Sequence, residues 1–223
     1  MSDAAAAAQP MAVAVAVMVA RVIRAADCRS MPWKNGDGAT TEICAHPPGA
    51  GLDDFGWRVS MATVASDGPF SVFAGVDRTL SLLAGDGLRL VIGDAPPVVL
   101  VCGSAPLSFP ADVPTRSALT GAPVTDLNVM TRRGAWRHTV TRLAFEGGVM
   151  PVSEQPTTAT CVLWWCHQGS VEIAGSGGSA RLGPQDAWLV EPLPPTRWRV
   201  RSTEAAVLFR IDLDPSPASG YRK

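Results

Sequence analysis

Three stretches decide the fold: Met31-Pro32-Trp33-Lys34-Asn35-Gly36-Asp37-Gly38-Ala39-Thr40-Thr41-Glu42-Ile43, then Trp57-Arg58-Val59-Ser60-Met61-Ala62, then Asp126-Leu127-Asn128-Val129-Met130-Thr131-Arg132-Arg133. On an extended strand successive side chains point to opposite faces. Arg58 and Ser60 therefore share one face, with Trp57, Val59 and Met61 on the other. Asn128, Met130 and Arg132 share a face opposite Leu127 and Val129, and Thr40 shares one with Glu42 just after Lys34 and Asn35. Polar groups are costly to bury without partners, so such a face is wet, internally paired or waiting for a ligand.

Outward from these stretches the chain reads as strand throughout. Outside the Ala-rich start, no window of a dozen residues spaces its apolar positions by three and four with capping residues. Arg78-Thr79-Leu80-Ser81-Leu82-Leu83, the turn Gly85-Asp86-Gly87 and Leu88-Arg89-Leu90-Val91-Ile92 predict a hairpin. A weak internal repeat follows: Cys161 to His167, Gly169 and Ser170-Val171-Glu172-Ile173 echo Leu80 to Leu83, Gly85 and Leu88-Arg89-Leu90. Strand, glycine turn, strand and a Pro/Asp corner is the rhythm of a jelly roll, two sheets folded over a mouth that can hold a ligand.

The bulk numbers narrow the function. A net charge of −1 with both signs interspersed argues against a nucleic-acid or membrane surface. Cys28, Cys44, Cys102, Cys161 and Cys166 make an odd count without a CxxC pair, as expected of buried, reduced thiols in a cytoplasmic protein. Ala4 to Ala20 is apolar, yet it carries Asp3 ahead of it, Gln9 and Pro10 within it, and no basic start. The stretch is neither signal peptide nor membrane span, and residues 1 to about 16 are read as a floppy extension or the product of an upstream start.

Metal and nucleophile chemistry find little support. His46, His138 and His167 are scattered, with no His-x-His, so no metal site is expected. There is no Gly-x-Ser-x-Gly and no Cys–His pairing at a known motif. Gly36-Asp37-Gly38 lacks the Lys-Ser/Thr of a phosphate loop, and its glycines are expected to let the chain pass close beneath a neighbouring strand or a ligand.

The block from Met31 to Arg133, with Phe55-Gly56-Trp57, Asp67-Gly68-Pro69-Phe70-Ser71 and Gly75-Val76-Asp77-Arg78-Thr79-Leu80 inside it, resembles the HutD/Ves family, double-cupin proteins usually met beside bacterial histidine-utilisation genes. It departs at Asp37, where the family usually has Gly, and at Ala74, where Pro is usual. The "Leu-Gly-Pro-Gln-Asp-Ala" corner at residues 182–187 looks like the second cupin motif. The resemblance implies an all-β bicupin of two tandem jelly-roll barrels. The expected organisation is a disordered extension over 1–18, a ligand-holding barrel over 19–115, a junction near Thr115 to Pro123, a second barrel over 120–215 and a disordered tail over 216–223.

It further implies a metal- and cofactor-free sensor or modulator of histidine catabolism whose ligand is a urocanate-like or formylglutamate-like carboxylate. A homodimer is left open, and neither nucleic acid nor membrane is expected as a partner. The expected ligand-binding set is Trp33, Lys34, Asn35, Thr40, Glu42, Arg58, Ser60, Phe73, Arg78, Asn128, Met130 and Arg132. Cationic groups beside neutral donors suit a small carboxylate, which a guanidinium grips with two parallel bonds. Two alternatives stay open. Arg58 with Glu42 and Asp77 with Arg78 could be structural ion pairs, or the protein could be a metal-free cupin isomerase or hydrolase with Glu42 or Asp77 as general base. A pure interaction protein with a vestigial pocket is the third reading.

Overall fold

The computed structural model describes residues 19–33, 38–151, 159–192 and 195–216; the expected extension over 1–18, Lys34, Asn35 and nearly all of the expected tail lie outside them. Among the described residues there are nineteen strands and one short 3-10 turn, Ala25–Asp27, with no α-helix.

The first half builds two sheets. A six-stranded sheet runs β2 (Arg29–Pro32), β3 (Gly38–His46), β4 (Trp57–Val64), β11 (Val124–Arg132), β6 (Val76–Ala84), β9 (Leu107–Pro110). A four-stranded sheet runs β5 (Gly68–Pro69), β10 (Thr115–Leu119), β7 (Leu88–Ile92), β8 (Val98–Leu100). The second half repeats this order eight strands later. Its larger sheet runs β12 (Trp136–Phe145), β19 (Ala206–Pro215), β14 (Cys161–Gln168), β17 (Ala187–Glu191), and the smaller runs β13 (Gly148–Pro151), β18 (Arg199–Ser202), β15 (Val171–Gly175), β16 (Gly178–Leu182). The sequence repeat is thus a repeat of topology.

Two expectations need correction. β6 and β7 do not pair as a hairpin; they belong to different sheets, and Gly85 to Gly87 is the corner between them. Gly85 sits at φ +99°, and a Cβ there would lie 2.6 Å from the Pro123 carbonyl oxygen, so the corner is pressed onto the approach to β11. Gly169, at φ +76° and equally tight against Ala205, makes the equivalent corner between β14 and β15. Alternating strands around a glycine turn look the same whether they pair or part.

The division of the chain also differs from 19–115 and 120–215. β1 (Val19–Ile23) pairs antiparallel with β17, in a sheet otherwise built from second-half strands. Arg24 holds that crossing with a 2.7 Å contact to Asp186, which also accepts the Ala25 amide at 3.0 Å. At the other end β11 pairs with β4 and β6, so the change of sheets falls after Arg132 rather than near Thr115 to Pro123.

Three of the four buried clusters are the larger cores. Trp57, Val59, Leu127 and Val129, on one face of the six-stranded sheet, pack with Leu163, Trp165, Phe209 and Ile211 of the other half. Each such fully buried side chain contributes roughly 1.5–3 kcal/mol. A second core joins Trp164, Trp188 and Trp198 with Ile173 and Val200 inside the second half. The third joins Leu80, Leu82, Val64 and Val124 of the six-stranded sheet with Leu88 and Leu90 of the four-stranded one. Thr40, Glu42, Arg58, Ser60, Asn128 and Met130 lie on this third, inward face.

Candidate ligand site

Cross-strand register places the candidate residues in rows. One row across β4, β11, β6 and β9 is Arg58, Met130, Arg78, Phe109. The next, from β3 to β6, is Glu42, Ser60, Asn128, Leu80; after it come Thr40, Ala62, Asp126, Leu82. Directly opposed residues in a sheet share a face. Thr40, Glu42, Arg58, Ser60, Arg78, Asn128 and Met130 therefore share one face, which keeps together the groups that alternation assigned, Arg58 with Ser60, Asn128 with Met130 and Thr40 with Glu42.

Charge on this face is buried and unevenly neutralised. Arg58 is 5% exposed; its Nε donates to Glu42 Oε2 at 2.8 Å and its Nη1 to Ser60 Oγ at 3.2 Å. The structural ion pair expected of Arg58 and Glu42 is present. Arg78, also 5% exposed, has no carboxylate within ion-pair distance among the described residues. Its Nη2 donates weakly to the Ser71 carbonyl at 3.4 Å and approaches the Met130 sulfur at 3.6 Å, while its Nε has no partner. Phe70, Phe73 and Phe109 surround the guanidinium with ring centroids at 5.4, 5.4 and 5.9 Å, geometry in which each ring face attracts the cation. The cleft of about 300 Å³ that Arg78 and Phe109 also border belongs to the opposite face of the sheet, among Asp77, Ser108, Thr131 and His138.

Asp126 completes the cluster and was not among the expected residues. It is 1% exposed, its Oδ1 accepts from Asn128 Nδ2, and its Oδ2 has no partner. Burial pushes its carboxyl up to about 7, against the pull of Arg78. Burial likewise lowers Arg78 to about 10, with Asp126 opposing the fall and Arg58 adding to it. Its signal was in the sequence: Asp126 stands two residues before Asn128 and so on the same face.

The remaining candidates divide. Trp33 packs at the edge of the inner core and donates from Nε1 to Thr40 Oγ1 at 2.8 Å. Phe73 lies beside Arg78 and edge-on to Phe55 at 6.4 Å. Arg132 has the right parity, but its donors go to the carbonyls of Phe55 at 3.1 Å and Asp53 at 2.8 Å, so it ties a loop and is not brought to the cluster. Asp77 does not pair with Arg78; adjacent on one strand, the two face opposite ways, and Asp77 instead accepts from Arg133 at 2.7 and 3.0 Å. That corrects the second expected ion pair.

The histidines stay apart. His46 stacks on Trp57, His138 bridges Thr79 and Thr131 at 2.7 and 2.8 Å, and His167 meets the Leu83 carbonyl at 3.2 Å. Among the described residues no three His, Cys, Asp or Glu gather as metal ligands would. The cysteines are free thiols: Cys44, Cys161 and Cys166 are buried as expected, whereas Cys28 is half-buried and Cys102 exposed. No described helix is long and apolar enough to cross a membrane.

Comparison with known proteins agrees with this architecture. A family model described as HutD matches residues 25–208. An uncharacterised 21.2 kDa protein in the hutC 3' region of Pseudomonas putida is 35% identical over 172 residues, covering 77% of this chain and 86% of its own. Protein Ves of Cronobacter sakazakii is 42% identical over 115 residues, half of this chain and 61% of its own. Among solved structures, a conserved protein of unknown function from Pseudomonas aeruginosa PAO1 superposes with TM-score 0.81 at 33% identity, covering 88% of this chain and 99% of that one. HutD from Pseudomonas fluorescens SBW25, in a formate condition, superposes with TM-score 0.73 at 29% identity over 89% and 100%. Oxalate decarboxylase from Lactobacillus farciminis shares the fold at 9% identity, with TM-score 0.64 over 87% and 86%, which makes the all-β architecture cupin-like.

Proposed function

The chain belongs to the HutD family, and from that premise we propose that it is a metal-free bicupin that binds a small carboxylate on its inward polar face and so senses or modulates histidine catabolism in the cytoplasm. On this reading β2 to β11 make one cupin barrel and β12 to β19 the other, with β1 paired to β17. The observation that carries the binding reading is Arg78, a buried guanidinium with no carboxylate partner among the described residues and an unpaired Nε. An uncompensated buried cation is costly, and an incoming carboxylate offsets that cost with short charge-assisted bonds.

The enzyme alternative is weaker. Glu42 is held by Arg58 and Asp77 by Arg133, so neither carboxylate first considered as general base stands ready to take a proton from a substrate. Calorimetric titration with urocanate and formylglutamate tests the binding reading. Saturable heat with at least one is expected. Absence of heat and of any thermal shift across a panel of small carboxylates would remove the site.

A further inference from the structure

We propose that Asp126 is the specificity-determining group of this face: protonated in the complex, it donates from Oδ2 to a second acceptor on the ligand, so binding takes up a proton and favours acids carrying two acceptor groups. This deepens the carboxylate-binding reading and rests on it.

The geometry assigns the proton its place. Asn128 Nδ2 already donates to Oδ1, which leaves Oδ2 as the oxygen able to carry and present a hydrogen. Asp126 lies on the inward face with Arg78 and Arg58, two rows along β11 from theirs. A carboxylate on Arg78 withdraws the positive charge that now favours ionised Asp126 and adds a negative one beside it. Both changes drive Asp126 to hold its proton. The free group titrates near neutrality, so the shift falls where ligand binding is measured.

Among the described residues the surroundings supply no other proton carrier. Facing Asp126 from its own sheet are Arg78, Arg58 and Glu42, of which the last two pair with each other. From the four-stranded sheet the buried polar groups are the hydroxyls of Thr115 and Ser117, donating to the carbonyls of Val113 and Gly68 at 3.0 Å each. Arg89 and Arg116 on that sheet are exposed. A ligand that offers Oδ2 an N–H or O–H donor would need the ionised form and would show the opposite pH dependence.

The experiment is calorimetry of the full chain with glutarate and, as the matched single-acceptor acid, pentanoate, alongside urocanate and formylglutamate. Runs in Bis-Tris and in Tris at the same pH separate buffer ionisation from proton uptake. Above neutrality we expect uptake approaching one proton per glutarate. Affinity should fall roughly tenfold for each pH unit above the Asp126 titration, and glutarate should bind more tightly than pentanoate. Asp126→Asn keeps a donor at the Oδ2 position, so it should bind glutarate with little pH dependence and no proton uptake. Tight binding without proton exchange, or an unchanged pH profile in Asp126→Asn, would overturn the role of Asp126 while leaving the carboxylate site standing. Failure of every acid to bind would remove the site and this role together. Proton uptake by the unsubstituted protein decides the matter even if Asp126→Asn does not fold.

Discussion

Arg58 and Glu42 are the only guanidinium–carboxylate ion pair on the inward face among the described residues, with Nε 2.8 Å from Oε2 and the Arg58 side chain almost wholly buried. Their contact spans β3 and β4, so it fixes the edge of the polar cluster as well as its charge. Arg58→Ala strands the Glu42 carboxylate and the Ser60 hydroxyl. Because Glu42 retains about a third of its exposure, water recovers part of the loss. A destabilisation of roughly 1–3 kcal/mol is expected, together with carboxylate binding weakened by roughly ten- to a hundredfold. Arg58→Lys should recover only part of either, since an ammonium lacks the planar fork. Urea denaturation of Arg58→Ala, Glu42→Ala and the double variant measures the coupling; additive losses would show that the pair is not a structural unit.

Arg78 separates binding from stability more cleanly. A charge-assisted bidentate bond contributes roughly 1.5–3 kcal/mol, so Arg78→Ala should weaken carboxylate binding by roughly ten- to a hundredfold. Removing a buried, unneutralised cation should cost the fold little beyond the lost packing on Phe70, Phe73 and Phe109. Arg197→Ala, at an exposed second-half position, is the control and should leave affinity unchanged. Equal calorimetric affinities for wild type and Arg78→Ala would take Arg78 out of the site.

Gly38 tests the expectation of close passage beneath a neighbouring strand. A Cβ there would lie 2.2 Å from the Thr63 carbonyl oxygen and 2.9 Å from the Trp33 ring. Thr63 is backbone in the adjacent strand β4 and cannot yield cheaply. Gly38→Ala should therefore destabilise by roughly 1–3 kcal/mol. Gly68, with nothing within 4 Å of an added Cβ, is the matched control, and Gly68→Ala should melt within a degree or two of wild type.

What the sequence disclosed follows from which physics is local. Face sharing is local: two-residue alternation put Arg58 with Ser60 and Asn128 with Met130, and the register keeps them together. Extending it two residues back would have found Asp126, whose buried carboxyl is the most perturbed acid of the cluster. Pairing is not local. Nothing in Val19–Ile23 announces that its partner is β17, and nothing between Ala84 and Leu88 says that the chain changes sheets there. Partner choice for charges is likewise a tertiary matter: Asp77 precedes Arg78 in the chain but bonds Arg133, because neighbours on a strand face apart.

Asp126 and His138 predict a pH profile of stability that neither gives alone. Asp126 is raised from 3.8 to about 7, so between those values the folded chain holds a proton that the unfolded chain has lost, and stability falls as pH rises through that window. His138 is lowered from 6.5 to about 4 by burial against a weaker pull from Asp77, and its ring nitrogens lie within hydrogen-bonding distance of the Thr79 and Thr131 hydroxyls. Between pH 4 and 6.5 the unfolded chain holds the extra proton at that site, so its contribution is lost as pH falls. The two slopes oppose over this window and largely cancel in the wild type. Asp126→Asn removes the first: it should gain roughly 2–4 kcal/mol at pH 8 relative to wild type, with the gain vanishing near pH 4. Its own stability should then drop steeply between pH 6.5 and 4. His138→Gln should show the reverse, greatest stability at the acid end of the window. Urea denaturation of the three proteins at half-unit pH steps reads these slopes directly, and parallel profiles for wild type and Asp126→Asn would mean that Asp126 ionises freely in the folded chain.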